Sequence, residues 1–190
     1  MDELIYYFMN DNELLELINS VASYTMNDKS IFHKINSEPL YGLKHITVWD
    51  TTKVTKMEDL FYNKERFNEL LLWNTANVVY MSCMFTGASS FNKPLEFNTN
   101  NVMDMGGMFF RATSFNQPLE FNTENVMDMA WMFSEATSFN QSLEFNTANV
   151  LNMRWMFCRA TSFNQPLEFN IDNVTNMGKM FLNSGMEITP

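Results

Sequence analysis

The chain has 190 residues, of which 46% are hydrophobic and 15% aromatic, and this is more apolar material than a disordered chain carries. Lysine and arginine number 12 against 22 aspartate and glutamate residues, so the net charge is −10. A chain this acidic has no overall attraction for phosphate backbones, and we expect no nucleic-acid partner. No stretch reaches the roughly 18 apolar residues that a membrane span needs.

Residues 1–48 are predicted to form a helical N-terminal cap. The stretch "DELIYYFMNDNELLELINSVASY" has helical periodicity in two pieces, with Asp11 or Asn12 as the cap at the break. One interpretation is a cap over the open core of the repeats that follow. The other is a docking motif, because the stretch resembles a degenerate F-box, a short helical motif that binds a ubiquitin-ligase adaptor, although the usual opening proline is absent. This N-terminus also lacks the basic region of a signal peptide, so we expect no export.

Residues 49–190 contain one sequence motif that is repeated every 24 residues. Three apolar columns define six copies without gaps: Val54, Val78, Val102, Val126, Val150 and Val174; Met57, Met81, Met105, Met129, Met153 and Met177; and Phe61, Phe85, Phe109, Phe133, Phe157 and Phe181. A fixed period in the twenties with atypical ends predicts a solenoid of six stacked coils.

Each repeat contains two periodicities. In "NVMDMAWMF" the apolar residues recur at helical spacing, with Asn125 placed as the helix cap, whereas "PLEFN" alternates as a short strand does. The predicted fold is therefore an α/β solenoid, a leucine-rich-repeat-like stack of strand, turn and short helix with a parallel sheet. Asparagine columns at 92, 116, 140, 164 and at 98, 122, 146, 170 are expected to pass hydrogen bonds from coil to coil.

A column of carboxylates is the first candidate binding surface. Its members follow one another at 24-residue spacing between two inward-facing residues: Glu96, Glu120, Glu144 and Glu168. Three interpretations stay open: a solvated acidic face, a docking strip for a basic protein, and a carboxylate pair of a carbohydrate-active enzyme. Catalysis is the weakest, because an acid and a base need two unlike environments and a ladder provides four similar ones.

A second candidate surface is aromatic and basic. Trp131 and Trp155 share a column and are predicted to point outward from the helix, beside Arg154 and Arg159. Two stacked surface tryptophans with arginines nearby favour a partner-binding hot spot, although they could equally cover each other and the neighbouring coil.

No constellation for metal or cofactor chemistry is recognisable. The two histidines, His33 and His45, have no cysteine or carboxylate at metal spacing. Cys83 and Cys158 lie three coils apart in different columns, which is too far for a disulfide. We therefore predict no catalytic residues, no metal and no cofactor.

The repeats share the consensus "NVxxMxxMFxxATSFNQPLEFNT". This consensus resembles the BspA-like repeat family of surface proteins. That family occurs in bacteria such as mycoplasmas, in protists and in large DNA viruses. The resemblance extends from about Trp49 to Phe181 and implies binding or structural work without catalytic residues. The leading hypothesis is a protein-interaction or assembly module. The alternatives are a component of a large DNA virus particle, an F-box-like adaptor and a carbohydrate-active enzyme. The missing export signal favours the cytoplasm, or the host cytoplasm or virion for a viral protein.

The end of the sequence suggests one further contact. Glu187 stands where the repeat calls for phenylalanine, and Pro190 comes before another "PLEF" segment. The sixth coil would then leave a strand edge and core residues such as Phe181 uncovered, which predicts pairing with a partner or with a second copy of the chain.

Overall fold

The computed structural model describes residues 50–186 and the single residue Asn12, which is helical. The described part contains six repeats: 50–73, 74–97, 98–121, 122–145, 146–169 and 170–186. Residues 50–186 contain no helix and no extended strand, only turns, bends and isolated parallel β-bridges. One series of bridges connects all six repeats through a single residue in each: Lys56, Tyr80, Asp104, Asp128, Asn152 and Asn176. The predicted helical cap and its F-box-like motif lie outside the described residues.

The prediction of an α/β solenoid is wrong in both of its elements. There is no parallel sheet in residues 50–186, because the column of the "PLEF" segments contains one isolated bridge, between Leu71 and Leu95, and no ladder. Proline has no N–H to donate at the start of these segments. The N–H of Asn116 just ahead of one donates at 2.9 Å to the side chain of Asn92 instead of to a carbonyl.

The predicted short helix is a series of β-turns. In the fourth repeat the N–H of Met132 donates to the carbonyl of Met129 at 3.3 Å, and the N–H of Ala136 donates to Phe133 at 3.0 Å. The third residues of these turns, Trp131 and Glu135, have φ angles of 62° and 58°, as a type II turn requires. A left-handed residue ends any helix, so the helical spacing of the apolar residues is here the spacing of successive turns.

The left-handed residues recur in two columns, four residues apart. One column contains Asp59, Cys83, Gly107, Trp131, Trp155 and Lys179, and the other contains Asn63, Gly87, Arg111, Glu135, Arg159 and Asn183. Left-handed backbone costs roughly 1–2 kcal/mol for a residue with a side chain. Ten of these twelve positions are not glycine, so the stack must impose this conformation.

Backbone hydrogen bonds between repeats supply that constraint. Alternate N–H groups of one repeat point at carbonyls of the next. In the fourth repeat Met129, Trp131, Phe133 and Glu135 donate to Asn152, Arg154, Met156 and Cys158 at 2.8–2.9 Å. An α-helix would use the same donors internally and leave the neighbouring repeat unbonded.

The core consists of the columns that the period predicts. The valines from Val54 to Val150, the methionines from Met57 to Met153 and those from Met84 to Met156 are completely buried. Two phenylalanine ladders run beside them. Successive rings of the Phe61 to Phe181 ladder lie 5.3–5.7 Å apart. The rings from Phe61 to Phe157 each pack on a ring of the second ladder, which runs from Phe67 to Phe163, as Phe133 does on Phe139 at 4.1 Å.

Polar side chains connect the repeats at the edges of this core. The prediction for the first asparagine column is confirmed, although the partners differ from those expected: Asn140 Oδ1 accepts the N–H of Asn164 at 2.9 Å and Nε2 of Gln165 at 3.1 Å. Buried threonines such as Thr123 donate to the next repeat. Asn125 does not cap a helix, because its amide donates at 2.7 Å to the carbonyl of Asn100 in the preceding repeat.

Candidate functional site

The glutamate column (Glu96, Glu120, Glu144 and Glu168) lies on the surface. Each of its side chains is exposed, whereas flanking residues such as Leu119 and Phe121 are only 6% exposed. The alternation therefore places the carboxylates outward as predicted, although no sheet carries them. Within residues 50–186 no lysine or arginine forms an ion pair with them. The column is a row of similar solvated carboxylates.

The predicted tryptophan pair is also at the surface, but on turns. The rings of Trp131 and Trp155 are parallel within 2° with centroids 4.8 Å apart, and Trp131 is 37% exposed. Two cations accompany Trp155: Arg154 Cζ lies 5.8 Å from the ring centroid and Lys179 Nζ lies 4.7 Å from it. We call the column from Asp59 to Lys179 that contains this pair the turn surface.

Arg159 belongs to a different group from the one predicted. It lies in the second left-handed column, and its guanidinium is 3.5 Å from Glu135 Oε1. Arg111 Nε donates to the other oxygen of the same carboxylate at 2.9 Å, and its Cζ lies 4.8 Å over the ring of Phe110. The two arginines therefore share one carboxylate, and only Arg154 lies against the tryptophans.

A depression of about 250 Å³ lies next to Trp131, where the column is interrupted by a glycine. Gly107 has the φ angle of the column, 63°, and no side chain, so no side chain from this position covers Trp131 in the next repeat. We call this space the Gly107 slot. Its lining comprises Ser82, Cys83, Asp104, Gly106, Gly107, Phe110, Asp128, Ala130 and Trp131. Phe110 meets Trp131 in a T-shaped contact with centroids 5.7 Å apart.

The slot has acidic groups in its wall. Asp104 Oδ1 accepts the N–H of Gly106 at 2.8 Å, and Asp128 accepts from the N–H of Ala130 and from Asn152 Nδ2. Partial burial raises the pKa of Asp104; the hydrogen bond from Gly106 acts in the opposite direction, while the charges of Asp128 and Glu58 add to the rise. This half-buried carboxylate is therefore poorly solvated and would be stabilised by a cation.

Thiol chemistry is not favoured at this surface. Cys83 and Cys158 are both free, as their columns predict. Burial is the main cause of a raised pKa for each thiol, so the thiolate form that a nucleophile needs is disfavoured. Across residues 50–186 no group of three or more metal-ligating side chains occurs. In the same range no helix is long and apolar enough to cross a bilayer. His33 and His45 lie outside the described residues.

The residue types in the two left-handed columns indicate these turns in the sequence itself. The two left-handed columns include Asp59, Asn63, Gly87, Gly107 and Asn183, the residue types that tolerate positive φ best. Recurring every 24 residues and four residues apart, they mark a pair of turns rather than a helix. The position of the Gly107 slot can be read from the first of these columns, because glycine occurs there at 107 and tryptophan in the next two repeats.

Comparison with known proteins gives one family. The family model described as "Mycoplasma protein of unknown function, DUF285" matches residues 26–120 and, in a second overlapping match, residues 96–187. The resemblance to the BspA-like repeat family is thereby confirmed for the mycoplasma type. No curated protein and no solved structure matches the chain.

Proposed function

This chain belongs to the DUF285 repeat family, and we propose that its stacked repeats form a non-catalytic module that binds a protein partner. The observation that carries this proposal is the contrast between columns. The valine column is the same in every repeat, whereas the turn surface carries Asp59, Cys83, Gly107, Trp131, Trp155 and Lys179 in one backbone conformation. The fold therefore leaves this surface open to different side chains, and binding specificity can reside in them.

The tryptophan pair supports the proposal because the stability of the chain does not explain it. Glycine would suit the left-handed backbone at Trp131 and Trp155 better, as it does at Gly107. Moreover, the indole N–H of Trp155 is buried and meets no acceptor in the described part of the chain. A buried unsatisfied donor costs about 1–3 kcal/mol. Unfavourable groups maintained at a surface are typical of a functional site.

A binding experiment with surface variants tests the proposal. Partners captured from cell extract on the immobilised chain would be purified and titrated against wild type and against a Trp131→Gly/Trp155→Gly double variant. Glycine fits the φ angles of both positions, so the fold should survive. Loss of a hot spot of about 2 kcal/mol or more predicts binding weakened at least about 30-fold. The proposal fails if no purified protein binds, or if the double variant and a variant of the glutamate column both bind as wild type does.

The glutamate column is a second candidate surface, favoured by four exposed carboxylates without ion-pair partners in residues 50–186. A partner with a basic face would bind it more weakly as salt increases, because exposed charges are screened beyond about 10 Å at 0.1 M. The matched experiment changes Glu96, Glu120, Glu144 and Glu168 together to glutamine. An affinity that changes neither with salt concentration nor with this substitution would rule out the column as a docking strip.

The sixth repeat suggests a homotypic contact. Val174 is half-buried where Val150 is completely buried, and Met177 is 40% exposed where Met153 is buried. The N–H groups of Met177, Lys179, Phe181 and Asn183 meet no carbonyl among residues 50–186. We propose that a second copy or a partner packs on this face. A monomer at high concentration in light scattering would reject the homotypic version, and full partner binding by a folded Phe181→Asp variant would reject the other.

Four narrower hypotheses stay separate from this proposal. A role in a virus particle and an intracellular location rest on the sequence alone. An F-box-like adaptor depends on whether residues 1–25, outside the described residues, bind a ubiquitin-ligase adaptor. A carbohydrate-active enzyme would need carboxylates in unlike environments, and Glu120 and Glu144 are both exposed, which argues against it. Hydrolysis unchanged by Glu120→Gln and Glu144→Gln would dismiss that idea.

A further inference from the structure

One end of the tryptophan stack already carries a cation. Consecutive members of the turn surface are Gly107, Trp131, Trp155 and Lys179. Trp155 has Trp131 against one side of its ring and Lys179 Nζ over the ring at 4.7 Å. Trp131 has Trp155 at 4.8 Å, but the next position in its own column is Gly107, which has no side chain. The Gly107 slot is thus the place in the stack where a group from outside can lie against Trp131.

The electrostatics of the slot select a cation. Asp104 and Asp128 both line it, and the charge of Glu58, two repeats earlier, acts on the carboxylate of Asp104. Asp104 Oδ1 is occupied by the N–H of Gly106, whereas no described residue donates to Oδ2. The ring of Trp131 attracts positive charge through its face. An anion or a neutral apolar group would leave the half-buried carboxylates uncompensated.

Next to the slot, a guanidinium group of the chain itself already contacts both an aromatic ring and a carboxylate. Beside the slot the guanidinium of Arg111 lies 4.8 Å over the ring of Phe110 and donates at 2.9 Å to the carboxylate of Glu135. A guanidinium is planar, stacks on aromatic rings and donates in a fork to carboxylates, which a lysine ammonium does not do. The slot, at about 250 Å³, is smaller than most pockets for small molecules, which begin near about 300 Å³. A single side chain matches this size.

We infer that the Gly107 slot binds the guanidinium group of an arginine side chain presented by a protein partner. The guanidinium lies against the face of Trp131 and donates to Asp104 Oδ2, with Phe110 as the side wall. The inference rests on the proposed function, since it names the kind of residue that the partner contributes. The net charge of −10 favours a partner with a basic surface.

A direct test uses blocked arginine, N-acetyl-arginine-amide, titrated into the full chain and followed by the indole N–H signals of the assigned tryptophans. We expect a saturable shift of the Trp131 signal. The citrulline analogue, which is nearly isosteric but uncharged, should bind at least about tenfold more weakly, because a charge-assisted hydrogen bond contributes about 1.5–3 kcal/mol. Citrulline or lysine analogues that bind as tightly as arginine would overturn the assignment, as would the absence of a saturable shift.

Variants locate the site. Asp104→Asn should weaken binding of the arginine analogue about tenfold. Asparagine should preserve the turn, because Asn152 in the same column accepts the N–H of Arg154, as Asp104 accepts the N–H of Gly106. Glu124→Gln is the matched control, because it removes the same charge from an exposed position outside the slot. Equal loss in both variants would indicate general electrostatic attraction and reject the slot.

A tethered cation provides an independent test. Gly107→Lys uses the residue that Lys179 places in the same column at the same φ, so its ammonium should occupy the slot and abolish binding of the analogue. A Cβ added at Gly107 would lie 3.0 Å from Cys83 Sγ, a close approach that could prevent folding. In that case Trp131→Gly, which copies Gly107, replaces it. Undiminished binding by a folded variant of either kind would reject the slot.

The outcomes separate this inference from the proposed function. The arginine titration needs no partner, so a failed titration alongside a partner whose binding depends on the tryptophan pair rejects only the slot. A successful titration without any protein partner rejects the proposed function and leaves a site for the guanidinium group alone.

Discussion

The interior and the turn surface of each repeat follow opposite rules, although they are only a few residues apart. In the interior the column from Phe61 to Phe157 is phenylalanine in every repeat and at most 1% exposed. In the turn surface one backbone conformation accepts aspartate, cysteine, glycine, tryptophan and lysine. The difference indicates that the fold specifies side-chain identity in the core, where rings stack, and does not specify it at the turn surface. At the turns the bonds between repeats determine the backbone, and the side chain is available for binding.

The largest effect is expected in the interior. Phe133→Ala removes a buried ring that stacks on Phe109, Phe139 and Phe157, and should lower the free energy of unfolding by about 3–5 kcal/mol. Phe110→Ala is the matched control, because it makes the same change at a half-buried position on the surface. Urea unfolding measures both. Similar losses in the two variants would contradict the division between interior and surface.

A smaller effect is expected where side chains connect the repeats. Asn140→Ala removes the acceptor of the Asn164 N–H and of Gln165 Nε2, and should destabilise the chain by about 1–3 kcal/mol. Asn140→Asp preserves an acceptor oxygen and should lose less. Urea unfolding would show this order, and an alanine variant as stable as the aspartate variant would mean that these bonds contribute nothing.

Substitution by glycine should have opposite effects on stability at a left-handed position and at a position with ordinary backbone. Arg159 has a φ of 57°, whereas Arg154 is not among the left-handed residues. Arg159→Gly relieves a conformation that costs roughly 1–2 kcal/mol and loses only an exposed ion pair, so stability should be maintained or increase. Arg154→Gly should lower stability by about 0.5–1 kcal/mol. Thermal unfolding compares the two, and an Arg159→Gly variant that is the less stable would contradict an imposed backbone.

The smallest effect concerns pH at the wall of the slot. Burial raises the pKa of Asp104, so the folded chain retains this proton to higher pH than the unfolded chain does. The stabilisation by protonated Asp104 is complete below the unfolded pKa and is lost as pH rises through the folded pKa. Asp104→Asn mimics the protonated form and should match wild type in acid and exceed it slightly at neutral pH. Urea midpoints between about pH 4 and pH 7 test this, and a variant that is less stable at pH 7 would contradict it.

Much of the candidate site could be located from the sequence. The alternation around Glu120 places it outward, and the shared column of Trp131 and Trp155 places the two rings together. Arg154 lies beside them as predicted, whereas Arg159 does not, because positions 155 and 159 would share one face only in a helix. The turns put the two residues in different columns, and Arg159 pairs with Glu135.

The sequence by itself determined which residues repeat, which are buried and that consecutive repeats stay in register, because a hydrophobic period survives in any structure that stacks its copies. It did not determine the secondary structure. Apolar residues at intervals of three and four suit a helix, and they equally suit successive turns that return to the same side. Only the tertiary structure decided between them, because a donor such as the N–H of Trp131 bonds to Arg154 in the next repeat rather than within its own. The same kind of bond, from the N–H of Gly107 to the carbonyl of Ala130, places Gly107 next to Trp131 of the following repeat and so creates the slot.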